Sequence, residues 1–118
     1  MKHSTSLAYR RKLDDLARKC RRAGVKVRFV PGNYLKDYAG QNDEAAKKMG
    51  FHKLPDDTVL IDRDMPVKSQ YRNLLHEVEE MVRMEKLGDK YWTAHLAALR
   101  AETQGLSDFV KGKMEKGV

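Results

Sequence analysis

Residues 58–62 read TVLID, set between the turn residues PDD and the proline at position 66. This is the strongest strand signal in the chain, and it is only five residues long. A second strand signal is VKVRFV at 25–30, where β-branched or aromatic residues alternate with basic ones before PGN ends the run. Two short strands among segments with helical character restrict the chain to one architecture. That architecture is α+β, a small sheet packed on helices.

The helical segments are read from their apolar period. STSLAYRRKLDDLARKCRRAG, with a Ser or Thr cap near its start, puts Leu7, Leu13, Leu16, Ala17 and Cys20 on a stripe that Gly24 closes. NDEAAKKMG combines an Asn/Asp cap, good helix formers and a terminal Gly, which predicts a short helix. YLKDYAGQ, before it, carries no clear signal. Ser69–Lys86 places Leu74, Leu75, Val78, Met81 and Val82 on one face. A second long helix runs from an Asp89 cap to Gln104, with Gly105 as its stop. The reading is one domain over 1–106 and a flexible tail over 107–118.

At 35% charged and 41% hydrophobic residues the composition is that of a folded rather than a disordered chain. No apolar run approaches the roughly 20 residues of a membrane span. MKHSTSLAYRRKLDD lacks the apolar stretch and cleavage site of a secretion signal, and the single Cys20 cannot form an intrachain disulfide. A reducing, cytoplasmic setting is the expectation. The net charge of +7 is unevenly spread: residues 1–28 hold ten Lys or Arg against Asp14 and Asp15, a net +8, and the remainder sums to −1. A basic first helix carrying Arg10, Arg11, Arg18, Arg21 and Arg22 suits nucleic acid or an acidic protein partner, and equally suits a solvated face. No zinc-finger spacing or other nucleic-acid motif accompanies it.

The chemistry concentrates in YRNLLHEVEE, residues 71–80. His76 and Glu80, four apart on a helix, point the same way and lie off the apolar stripe. An imidazole and a carboxylate at this spacing chelate a divalent metal from one helical turn. The short break at Leu87–Gly88 makes the two long helices antiparallel neighbours, a C-terminal hairpin that sets Glu80 level with His95. Glu102, seven residues beyond His95, shares its face. The residues so grouped are His76, Glu80 and His95 as ligands, with Glu102 as a fourth ligand or a carboxylate orienting a histidine. Glu77, beside His76, is placed to take a proton from a metal-activated water. The plainer alternative leaves HEVEE facing water and His95 simply hydrogen-bonded to Glu80. Tyr91, Trp92, Leu96 and Leu99 read as core.

The segment TVLIDRDMPVKSQYRNLLHEVEE resembles the core of the zincin metallopeptidases, especially the small ImmA/IrrE-like branch, over roughly 58–102. In that family a strand precedes a helix carrying H-E-x-x-H flanked by apolar residues, the places held here by Leu74, Leu75 and Val78. The resemblance implies His76 as a ligand, Glu77 as the base and a peptide substrate. The chain departs from it at Glu80, where the family has a second histidine. That carboxylate makes a bound metal a weaker Lewis acid and widens the choice from zinc, the first expectation, to manganese or iron. HEVEEMVRMEKLGDKYWTAHLAALRAE also looks like a module of small phage and archaeal proteins without a settled activity.

Two functions follow as expectations. One is a small metal-dependent hydrolase, peptidase-like, whose short chain calls for a partner protein or a dimer to complete a substrate cleft. The other is a non-catalytic binding module of a phage or mobile element that uses the basic helix. A carboxylate–histidine di-metal site is the weakest option, because the first helix supplies no E-x-x-H ligands.

Overall fold

The two strand signals pair with each other. In the structure, a computed structural model that describes residues 2–36 and 38–117, β1 (Lys26–Val30) runs parallel to β3 (Thr58–Asp62), with Val27 opposite Val59 and Phe29 opposite Ile61. The other edge of β3 carries β2 (Gly40–Asn42), which is antiparallel and sets Gln41 opposite Leu60. The order β1-β3-β2 makes TVLID the central strand. That position explains its composition. Val59 and Ile61 enter the main core while Leu60 faces a second cluster with Leu35, Ala46 and Leu54, so both faces are covered and both must be apolar.

Among the described residues there are six helices, and the architecture is the expected α+β. Helix α1 (Lys2–Arg22) buries Leu13, Leu16, Ala17 and Cys20 against β1, β3 and the central helix α4 (Val67–Val82), which contributes Leu74, Leu75, Val78, Met81 and Val82. Leu7, expected on that stripe, is 54% exposed, because it sits on another side of the helix from Leu13 and Leu16. Nor does a Ser or Thr cap α1, which is already helical at Lys2. Between β1 and β3, α2 is a single turn (Gly32–Leu35) and α3 spans Asp43–Met49. The caps of α3 follow the sequence signal: Asn42 Oδ1 accepts from Ala45 N, and Gly50 closes the helix in the left-handed region at φ 71°. The strand β2 had no sequence signal, and Asp37, before it, lies outside the described residues.

The helical hairpin is α4, a π-helical turn over Arg83–Leu87, a left-handed Gly88 and α5 (Tyr91–Gln104). Asp89 does not cap α5; Lys90 holds that position, and the Asp89 carboxylate instead accepts from Arg83 Nη1 at 3.2 Å. The buried face of α5 is Ala94, Ala98 and Ala101, whereas Trp92, Leu96 and Leu99 are exposed, which corrects their reading as core. Small side chains at i, i+4 and i+7 bring the α5 backbone close to α4, so longer polar side chains on its flank reach across.

The expected tail is also corrected. Residues 108–116 form α6, capped by Ser107 Oγ on Val110 N, and Val110 is fully buried in the main core. Glu79 anchors this helix: its carboxylate accepts from Ser107 N at 2.8 Å, from Ser107 Oγ at 2.7 Å and from Arg83 Nε at 2.7 Å. Val118, the last residue of the expected tail, lies outside the described residues. No helix among the described residues is long and apolar enough to cross a membrane.

Candidate metal centre

On α4, His76 and Glu80 project from one side and Glu79 from another, as their spacing requires. The antiparallel α5 brings His95 level with Glu80, and Glu102 level with His76. His95 Nδ1 lies 2.8 Å from Glu80 Oε2. His76 Nε2 lies 3.2 Å from that same oxygen. The ring centroids of the two histidines are 4.9 Å apart in a T-shaped arrangement. One donor atom each from His76, Glu80 and His95 fits within 4.8 Å of one another. Two imidazoles and one carboxylate converging in this way match the ligand chemistry of a divalent metal.

Glu102 does not belong to that cluster of three. Its Oε2 lies 2.7 Å from His76 Nδ1, behind the ring, so of the two roles expected for it the contact fits the orienting carboxylate. The Nδ1–H donates to Glu102, which directs Nε2 to the cluster.

The electrostatics follow from burial. The Glu80 side chain is 3% exposed and that of His76 12%. Burial opposes charge on His76, but hydrogen bonding to Glu80, the carboxylates of Glu77 and Glu80, and the bond to Glu102 outweigh it and raise the pKa to about 9. Glu80 is subject to the same desolvation, yet the hydrogen bonds and charge of the histidines hold its pKa below the usual carboxylate value. Glu77 goes the other way: burial first, then the adjacent Glu80 charge, push its pKa up to about 8. Neighbouring carboxyls with pKa values driven apart are characteristic of acid–base sites.

Three residues that sequence reading did not assign complete the surroundings. Asn42, whose Oδ1 caps α3, donates through Nδ2 to Glu77 Oε1 at 2.8 Å and Glu80 Oε1 at 3.1 Å, tying β2 to α4. Its legible signal was the cap: an amide oxygen committed to the helix leaves the NH2 to find another partner. Gly40 lets the strand approach Glu77, since a Cβ there would lie 3.1 Å from Glu77 Cγ and 3.2 Å from its Oε2. Tyr91 stacks on His95 with centroids 5.4 Å apart. Burial, then the Glu80 and Glu77 charges, raise its phenol pKa to about 12 and keep it neutral. Gly40 and Tyr91, with His76, Glu77, Glu80 and His95, border a cleft of about 220 Å³ that also reaches Glu102.

The basic residues lie elsewhere. Arg10, Arg11, Arg18, Arg21 and Arg22 are all exposed on α1 and none borders the cleft. Arg18 pairs with Asp15 at 2.9 Å, Arg10 approaches Asp14 at 4.0 Å, and Arg21 donates to Val27 O at 2.8 Å.

Comparison of the chain with models of known protein families, with curated proteins and with solved structures gave no match.

Proposed function

We propose that this chain is a small metal-dependent hydrolase, peptidase-like in its chemistry, built on a zincin-like scaffold with Glu80 in place of the second histidine. The observation that carries the reading is the convergence of His76, Glu80 and His95 on one point with Glu102 behind His76. His76 Nε2, a Glu80 oxygen and His95 Nδ1 would hold the cation, zinc before manganese or iron. A cation held there supplies a Lewis acid that lowers the pKa of a water beside it.

The chain's own groups supply the rest. Glu102 fixes the His76 tautomer. Asn42 holds one oxygen of Glu77, which leaves Oε2, on the side of Gly40, to receive a proton. Glu77 serves as a base only when ionised, and in the metal-free chain that form predominates above about pH 8. Tyr91 packs His95 in place.

Metal analysis of the purified protein by mass spectrometry tests the reading. The expected result is close to one zinc per chain, lost in His76→Ala and kept in Glu77→Gln, the latter without turnover of a peptide substrate. Protein that stays metal-free after dialysis against micromolar zinc defeats it.

A second reading has its own observation. All five arginines of α1 are exposed, and a face of that charge suits nucleic acid or an acidic protein. Binding to DNA or RNA that weakens steeply with salt, and is lost on charge reversal at Arg18, Arg21 and Arg22, is its expected signature; binding unchanged by the reversal removes the helix from that role.

A further inference from the structure

Helices α1 and α6 both pack on α4. The space left between them is a groove of about 820 Å³ that shares no lining residue with the metal cleft. Its floor is apolar. Leu16 and Leu75 are buried there, while Tyr71, Leu106 and Met114 pack on the main core with part of their surface still open. Met114 is four residues beyond the buried Val110, at the edge of the packed face of α6, and Lys111 and Glu115 fall just outside that face.

The two sides of the groove are basic. Lys19 and Arg22 of α1 stand on one side and Lys111 and Lys116 of α6 on the other, all four exposed. Among the described residues Glu115 is the one acid in the lining. Arg18 and Arg21 of α1 are engaged, with Asp15 and Val27 O, whereas none of the four groove cations makes an ion pair or side-chain hydrogen bond among the described residues. Cations on both sides of a groove with too little counter-charge repel one another, and an anionic occupant relieves that repulsion.

The apolar floor narrows what the occupant is. A simple anion would satisfy the sides and leave the floor wet. A DNA duplex or an anionic bilayer presents its charge as a broad surface, which meets the sides without entering. A peptide segment carrying both carboxylates and apolar side chains matches sides and floor together. The volume lies within the range of about 300–1,000 Å³ typical of ligand sites, room for a few apolar side chains.

We propose that the groove between α1 and α6 docks an acidic peptide segment, its apolar side chains on Tyr71, Leu106 and Met114 and its carboxylates toward Lys19, Arg22, Lys111 and Lys116. This docking is independent of the hydrolase reading. It deepens the second reading, on which it rests only for the anionic character of the partner, by making that partner a protein and by giving α6 half of the site.

Fluorescence anisotropy with labelled synthetic peptides, in about 150 mM salt, tests it. One peptide repeats Glu-Glu-Leu-Leu, a second has Ser in place of Leu, and a third has Lys in place of Glu. The expected result is saturable binding of the first, binding of the second weaker by about tenfold or more, as the loss of one buried Leu implies, and no binding of the third. Met114→Gln, and Lys111→Glu combined with Lys116→Glu, should each weaken the first peptide about fivefold or more with zinc content unchanged. Where a variant fails to fold, the three peptides on the unsubstituted protein decide. Equal binding of the Leu and Ser peptides, or no binding of either, overturns the proposal. A DNA duplex that binds where the peptides do not overturns it as well and retains the second reading for nucleic acid. Peptide binding that survives reversal at Lys111 and Lys116 but is lost on reversal at Arg18 and Arg21 moves the partner to the open face of α1 and rejects the groove.

Discussion

Glu102 holds His76 from behind: its Oε2 lies 2.7 Å from Nδ1, while Nε2 of the same ring faces Glu80 at 3.2 Å. An imidazole gripped at one nitrogen by a carboxylate presents the other in a fixed direction and with raised basicity. The two carboxylates thus differ in role although each touches one histidine of α4. Glu80 is a candidate ligand and Glu102 a candidate positioning residue.

That division makes a quantitative prediction. Glu102→Gln keeps a hydrogen-bonding oxygen but removes the charge, and should weaken zinc affinity by about 10–100-fold without abolishing it. Glu80→Gln should lose stoichiometric binding. Competition with a chromophoric chelator measures both, and equal losses in the two variants would remove the distinction.

Proton binding at the site should make the metal-free and zinc-loaded proteins respond oppositely to pH. In the metal-free fold His76 titrates at about 9 against an ordinary value of 6.5, and Glu77 at about 8 against 4.5. Both are raised, so the folded chain binds the extra protons. The stabilisation is complete below the unfolded pKa of each group and is lost as pH rises through the folded one. The depressed Glu80 works the other way, contributing above its ordinary 4.5 and losing that contribution on acidification. The metal-free Tm should accordingly fall from about pH 4.5 through Glu77 and more steeply once His76 joins it, with a shallower fall in His76→Gln between about pH 6.5 and 9. Zinc needs the neutral imidazole, so its affinity and the Tm rise that it causes should grow over the same interval. Calorimetry at pH 6 and pH 8.5, with and without zinc, provides the comparison.

Glu79 should matter for α6 rather than for the metal. It is 1% exposed and holds both Arg83 and the start of α6 at Ser107. Glu79→Ala leaves Ser107 N without its acceptor while Arg83 keeps Asp89, and should cost about 1–3 kcal/mol in a denaturant melt. Faster amide hydrogen exchange over 108–116 should accompany it, with zinc content unaffected.

Close approach of α5 is the remaining requirement. Ala98 is fully buried between the helices, and Ala98→Leu should destabilise by about 1–3 kcal/mol through overpacking. It should also weaken zinc binding by moving His95 and Glu102 away from α4. Leu96→Ala, at a position 59% exposed, should change stability by about 0.5 kcal/mol or less. Urea melts and zinc titration of the two variants check the pair.

Local sequence determined a good deal here. TVLID was legible as a strand because its β-branched and aliphatic run is bounded by turn residues, and α3 because Asn42 and Gly50 mark its ends. Helical spacing alone puts His76 and Glu80 on one side of α4, and the short break at Gly88 returns α5 alongside it, which brings His95 and Glu102 within reach. Tertiary structure decided what local rules leave open. β2 has no propensity signal of its own; its pairing with Leu60 and the bond from Asn42 to Glu77 and Glu80 hold it as a strand. Residues 108–116 are helical and docked because Val110 finds the core and Glu79 receives Ser107, partners distant in sequence. The bulky face of α5 is exposed and its alanine face buried, against the usual ranking, because the helix packs where its backbone must come close to α4. Periodicity specifies which residues share a face; only the neighbouring surface decides which face is turned inward.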